Sequence, residues 1–214
     1  MARSLALCNA LKPAFQANLM WAQIRFGAQT LASGLLTWGL FSLDRLAVAR
    51  LHSPAVTGHY TAGFNLAIAP PWQIVSSLQQ VMFSKASKDA QSDAELVSLY
   101  GRMMFLVLTV VVPACMTLSV GAKEVVSILY GAKWEASGPI VAVLALSLPF
   151  YALAGLSTPF MWARGKVHYD VFMQALTAVI LICAILLVKD KGVEYIAGAV
   201  VLAYAIRSLI AVLA

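Results

Sequence analysis

Six apolar runs of about helical-span length dominate the chain, separated by short polar punctuation. They cover about residues 27–48, 60–83, 103–120, 139–162, 171–188 and 193–213. A bilayer core about 30 Å thick takes on the order of 20 helical residues to cross, so each run predicts a membrane helix. None alternates polar and apolar positions over about ten residues, as a barrel strand does. "LHSPAVTGH" and "KDKG" read as brief turns, and "ARGKVHYD" as a compact basic loop. The longest connection, "SKASKDAQSDAELVSLYGR", carries mixed charges and is expected to lie in water at one face. No segment resembles a soluble domain. The pattern predicts a single all-α integral membrane unit over residues 27–214.

Residues 1–26 mix apolar patches with Lys12, Gln16, Asn18, Gln23 and Arg25. They read as an interfacial helix leading into the first span, or equally as a linker. The apolar run at residues 5–8 is too short for a signal-peptide core and is broken by Asn9, Lys12 and Pro13. Insertion is therefore expected to begin at the first span.

Composition agrees with the pattern. The chain is 61% hydrophobic and only 11% charged, where soluble domains carry about a quarter charged residues. Its mean hydropathy is +0.83. The net charge of +6 is spread over short connections, which suits membrane orientation or anionic lipid and not nucleic acid. With the N-terminus inside, eight lysines and arginines fall on the cytoplasmic side and six outside. That difference points to a cytoplasmic N-terminus by a small margin. Cys8, Cys115 and Cys183 are far apart and predict neither a disulfide nor a metal site. His52, His59 and His168 sit beside turns without a nucleophile or carboxylate partner. No HExxH, GxSxG or GxxxxGK signature is present, so neither enzymatic activity nor a cofactor is expected.

Polar groups inside the spans are the informative ones. An ionisable side chain in hydrocarbon costs about 2.5–3.5 kcal/mol or more and usually faces a bundle interior or aqueous cavity. In "LFSLDRLAVARL", Asp44 is the one acid placed well inside a span, with Arg45 and, later, Arg207 as basic counterparts. Either the helix continues in lipid past Leu43, or Asp44 and Arg45 lie among headgroups with Arg45 snorkelling. On the second span, Asn65, Gln73, Ser76, Ser77 and Gln80 fall within a sector of roughly 120° at helical pitch, with Gln79 just outside. Such a stripe bonds neighbouring helices or lines a hydrated path. Pro70, Pro71, Pro113, Pro149 and Pro159 predict kinks. "SILYGAKWEASGPI" suits an interfacial turn with Trp134 as an aromatic anchor.

The stretch "RFGAQTLASGLLTWGLFSLDRLAVARLHSPAVTGHYTAGFNLAIAP" resembles bacterial polysaccharide and lipid-linked oligosaccharide flippases of the multidrug/oligosaccharidyl-lipid/polysaccharide exporter superfamily. The resemblance rests on Phe26-Gly27, Asp44-Arg45, Arg50, Gly58-His59-Tyr60 and Pro70 in order, then "YGAKWEASGPI" and "ARGK". It implies one lobe, most like the C-terminal one, of a two-lobed transporter with six spans per lobe. It also implies a bacterial cytoplasmic-membrane location and a lipid-linked oligosaccharide moved by alternating access. A second six-helix lobe or a homodimer would complete the cleft. Arg45 and Arg50 would meet a diphosphate, as arginine does through charge-assisted bonds. Asp44 would hold an arginine or take a coupling ion, and Asn65, Gln73, Ser76 and Gln80 would hydrate the sugar path. A drug or cation antiporter of the same superfamily, a truncated fragment, and a non-transporting scaffold are the alternatives.

Overall fold

The structure, a computed structural model, describes residues 17–88 and 93–213. Nine α-helices and one 3-10 turn make up those residues, and no strand occurs among them. They are α1 (Ala17–Leu51), α2 (Pro54–Ala67), α3 (Ala69–Lys88), α4 (Asp93–Val120), α5 (Ala122–Tyr130), α6 (Gly138–Ala145), α7 (Leu148–Ala163), α8 (Val167–Val188) and α9 (Val193–Leu213). The 3-10 turn Ala132–Ser137 joins α5 to α6.

Local chemistry explains most boundaries. Ser53 caps α2, its hydroxyl accepting from the Val56 amide, and Pro54 sits in the first turn where no donor is needed. The second predicted span is two helices. It breaks at Ile68, where Pro70 and Pro71 supply no amide donor to the carbonyls of Leu66 and Ala67. The fourth span is likewise broken, with its 132–145 and 148–163 parts bent by 49° across Leu146 and Ser147. Pro149 starts the second part, whereas Pro113 and Pro159 lie inside α4 and α7. Gly131 adopts φ +85°, a left-handed turn that favours glycine, between α5 and the 3-10 segment.

Several boundaries differ from the sequence pattern: α2 starts at Pro54, inside the expected "LHSPAVTGH" turn, and α5 fills 122–130, within an expected connection. The connection at 84–102 is mostly helical, since α3 runs to Lys88 and α4 starts at Asp93. Its alanines, lysines and glutamate are good helix formers. Residues 17–26 are the opening turns of α1 and not a separate element. At 35 residues, α1 is roughly 50 Å long and exceeds the hydrocarbon core. The expectations for residues 1–16, Cys8 included, lie outside the described residues. Finally, α8 starts at Val167, four residues before the predicted 171, which brings Asp170 into a helix.

In the bundle, α8 packs between α1 and α9, α7 lies against α3, α4 and α9, and α2 lies against α6. The main core joins Leu40, Val48, Tyr60, Ile140, Leu144, Leu181 and Ile196; a smaller one gathers Val75, Met82, Val107 and Leu156. Gly155 lets α7 approach α3, for a Cβ there would stand 3.0 Å from Gln79 Nε2 and 3.1 Å from Val75 Cγ1.

Outward faces are strongly apolar, including Leu31, Trp38, Phe105, Val120, Ile128 and Leu187, as expected of a lipid-facing surface. Among the described residues three helices are long and apolar enough to cross a membrane, at Val97–Val120, Val167–Val188 and Val193–Ala211, and the bent pair would be a fourth. The two remaining predicted spans fall in α1 and in α2–α3. These carry Ser33, Thr37, Asp44 and Arg45, or Asn65, Gln73 and Gln80, which lower their apolar character. The architecture is that of an all-α membrane protein.

Candidate functional site

Two buried acids organise the interior, not one. Asp170 stands in the first turn of α8, where helix geometry favours an anion, with Gln174 one turn further on the same face. Its Oδ2 accepts from Ser33 Oγ at 2.7 Å, Gln174 Nε2 at 2.9 Å and Trp162 Nε1 at 3.0 Å. Oδ1 accepts from Thr158 Oγ1 at 3.2 Å and pairs with the Arg207 guanidinium at 3.5 Å. Gln174 also donates to Ser33 Oγ at 2.7 Å and accepts from Thr37 Oγ1 at 2.8 Å. One carboxylate, 2% exposed, thereby ties α1, α7, α8 and α9 together. A charge removed from water is tolerated when it is paired and fully hydrogen-bonded, and here it is both.

Above this centre lies a cavity of about 200 Å³, walled by Thr37, Trp72, Gln79, Tyr151, Thr158, Trp162, Gln174 and Arg207 among others. Gln79 donates to the Gly155 carbonyl at 2.7 Å. The roof is an aromatic box. Phe41, Trp72 and Tyr151 have ring centroids 5.1–5.3 Å apart, and Tyr204 reaches Tyr151 at 4.9 Å. Such tilted and edge-on contacts match the ring quadrupoles and fix the rings.

Beyond the box is the second acid. Asp44, 1% exposed, accepts from Tyr60 Oη at 2.8 Å and from the Arg45 amide at 2.8 Å. It clamps α1 to α2. Arg45 turns elsewhere: its guanidinium donates to the Phe41 carbonyl and lies 4.5 Å from the Phe64 ring centroid. Charge pairing between neighbours on one helix would need side chains that diverge by about 100° to meet.

The other expected residues face outward. Arg50, in the last turn of α1, is exposed, as are Asn65, Gln73 and Gln80; Ser76 is half-buried. The break at Ile68 splits their stripe, leaving Asn65 on α2 and the rest on α3. Ser76 and Ser77 donate back to the Gln73 carbonyl. Gln79, set just outside the stripe by pitch, is the amide that faces α7. Hence the structure brings Asp44 into the core and leaves Arg50, Asn65, Gln73 and Gln80 on the bundle surface, with Arg45 between.

Sequence reasoning missed the Asp170 centre. The signal was present in the i, i+4 pairs Ser33/Thr37 and Asp170/Gln174, but placing Asp170 in a loop hid the second. Among the described residues no cluster of three or more histidines, cysteines or acids could hold a metal ion. His59 contacts Ser137 Oγ at 3.2 Å and Trp134 edge-on, so "GAKWEAS" packs against α2.

A protein family described as "Polysaccharide biosynthesis protein" matches residues 4–139. The lipopolysaccharide biosynthesis protein WzxC of Escherichia coli (strain K12) is 25% identical over 123 residues, covering 58% of this chain and 25% of that protein. An uncharacterized membrane protein in the cps region of Klebsiella pneumoniae is 25% identical over 150 residues, covering 70% of this chain and 31% of that protein. The matched stretches thus span under a third of either relative. No solved structure matches the chain. With its apolar helices, this likeness identifies a multi-pass protein of the bacterial inner membrane.

Proposed function

Since the chain belongs to this family of polysaccharide biosynthesis proteins, we propose that it forms one six-helix lobe of a flippase for a polyprenyl-diphosphate-linked oligosaccharide. The repeat unit of an O-antigen, capsule or exopolysaccharide would pass from the cytoplasmic to the periplasmic leaflet by alternating access, with a second lobe or a second copy across the cleft. No covalent chemistry is required of the protein. Its task is to lower the desolvation cost of a charged, hydroxylated headgroup, which is prohibitive in bare hydrocarbon.

The observation that carries this reading is the outward polar stripe. Asn65, Gln73 and Gln80 face away from the bundle core, Asn65 on α2 and the glutamines on α3. Amides directed at lipid alone would go unsatisfied, so a hydrated cleft is the better setting. Half-buried Arg45, over the Phe64 ring beside Asn65, and exposed Arg50 suit a diphosphate. Asp44 then acts as a positioning residue, holding α1 against α2 so that both arginines keep their places. A drug or cation antiporter gains little from the two acids, because both are engaged by donors of the bundle itself.

Export of surface polysaccharide in a flippase-null strain tests the proposal. The chain is supplied alone and together with a six-helix N-terminal half, beside full-length controls. Restoration with the partner supports a half-transporter, and restoration by the chain alone supports a homodimer. Stable insertion without recovery in either strain would replace both with a non-transporting scaffold or fragment.

A further inference from the structure

The cavity above Asp170 is larger than the carboxylate network requires, and several of its polar groups are uncommitted. Tyr151 and Tyr204 line it and are more than nine-tenths buried, with 6% and 5% of their surfaces exposed. Neither hydroxyl bonds to a described protein group, and neither is sealed off as the Tyr100 hydroxyl is. Both lie within electrostatic reach of the Arg207 guanidinium, which borders this cavity and not the pinhole of about 10 Å³ beside Asp44. Gln79 gives one amide hydrogen to the Gly155 carbonyl and keeps its own carbonyl oxygen free. Arg207 meets Asp170 through Nη2 and retains further donors. Buried polar groups in folded proteins nearly always have partners, so this set points to an occupant rich in hydroxyls.

The walls narrow the choice. Phe41, Trp72, Tyr151 and Trp162 present aromatic rings, a poor lining for a cluster of water. Asp170 and Arg207 balance each other, so the site calls for no net charge. A water takes about 10–15 Å³ of such space, so the cavity has room for on the order of a dozen non-hydrogen atoms, about one hexose. A hexopyranose offers an apolar C–H face to the rings and hydroxyls to Tyr151, Tyr204, Gln79 and Arg207. Apolar and aromatic walls with a few convergent polar groups are the usual make-up of a ligand site. The cavity also adjoins the outward stripe. α1 has few direct contacts with α3 or α7, and the cavity fills that gap. On α3, Trp72 and Gln79 line it, while Gln73 and Gln80, one position further on, are exposed. We propose that this cavity is a subsite, inside the lobe, for one neutral hexopyranose ring of the carried oligosaccharide; the assignment rests on the transport reading above.

Saturation-transfer NMR on the full chain in amphipol, free of sugar-based detergent, reads ring binding without transport. The probes are the methyl glycosides of glucose, galactose and N-acetylglucosamine, with glucuronic acid as the charged comparison. At least one neutral probe should bind, and more tightly than glucuronic acid. Tyr151→Phe/Tyr204→Phe should weaken that binding at least tenfold, about fivefold for each lost hydrogen bond. It should melt no lower than wild type, because neither hydroxyl has a protein partner to lose. Lys189→Gln, at the far end of α8, should leave binding unchanged. The proposal is overturned if no neutral probe binds, if glucuronic acid binds tenfold better than all of them, or if the double variant binds like wild type. A double variant that loses binding and melting temperature together makes the hydroxyls structural, and overturns it too. Export in the flippase-null strain separates the two readings. Export without ring binding would remove the subsite and leave transport standing, whereas ring binding without export would remove transport and leave a sugar pocket.

Discussion

Replacing Asp170 with asparagine keeps the size of the side chain and removes its charge. Three donors point at Oδ2, so the new amide nitrogen cannot sit there without facing Ser33, Gln174 and Trp162 hydrogens. The alternative puts Nδ2 at the Oδ1 position. Thr158 can rotate its hydroxyl to accept, but Arg207 has no acceptor to offer and loses its counter-ion. Leaving one member of a buried pair uncompensated costs about 3–5 kcal/mol. Arg207 keeps 11% side-chain exposure and borders the cavity, so the lower end, about 3 kcal/mol, is expected. For a chain of this size that corresponds to a melting temperature about 6–12 °C lower. Heated aliquots of purified protein, scored by the fraction still monodisperse in size-exclusion chromatography, give that number. A second substitution, Arg207→Met, should recover part of the loss in the Asp170→Asn background because it removes the orphaned charge; coupling of about 1–3 kcal/mol is expected for groups in contact. An Asp170→Asn protein that melts within about 2 °C of wild type would refute the claim that this carboxylate holds four helices.

Other substitutions probe separate features. Tyr60→Phe leaves Asp44 with only its backbone donor and should cost about 1–3 kcal/mol in the same melting assay. Gly155→Ala should destabilise by about 1–3 kcal/mol through overpacking against Val75 and Gln79, although alanine is the better helix former; a rise in melting temperature would mean that α3 and α7 are free to separate. Arg50→Ala should lower glycan export with membrane abundance unchanged, and Arg45→Ala should do the same while losing its contact over Phe64 and its bonds to the Phe41 carbonyl, together about 1–3 kcal/mol. Equal falls in abundance and export, read by immunoblot and polysaccharide gels, would make both arginines structural. Asn65→Leu and Gln73→Leu should impair export without lowering the melting temperature, and full export in both would remove the hydrated stripe.

Hydrophobic run length was enough to read the chain as an all-α membrane protein, because bilayer thickness and backbone satisfaction leave few other states for such runs. It missed α5 and the helical ends at 84–102. The last helix, predicted at 193–213, is observed at Val193–Leu213. Prolines told where the second and fourth runs are interrupted, since the missing donor and the ring act locally. The chain family was likewise legible, from the ordered residues around Asp44, Gly58 and "GAKW". Periodicity also grouped Asn65, Gln73 and Gln80, but it could not say whether their side faced the core or the outside. That depends on which neighbour α3 meets, and Gly155 on α7 draws in Gln79 instead. The Asp170 centre needed tertiary structure altogether. Its donors come from residues 33, 158, 162, 174 and 207, on four helices. No spacing along the chain encodes their convergence. Asp44 shows the same division: sequence placed an acid at the end of a span, and packing against Tyr60 decided that it serves as a clamp. Local steric and solvation rules act within a few residues and can be read one segment at a time. Pairing of buried polar groups is a property of helices brought together, and is fixed only once they pack.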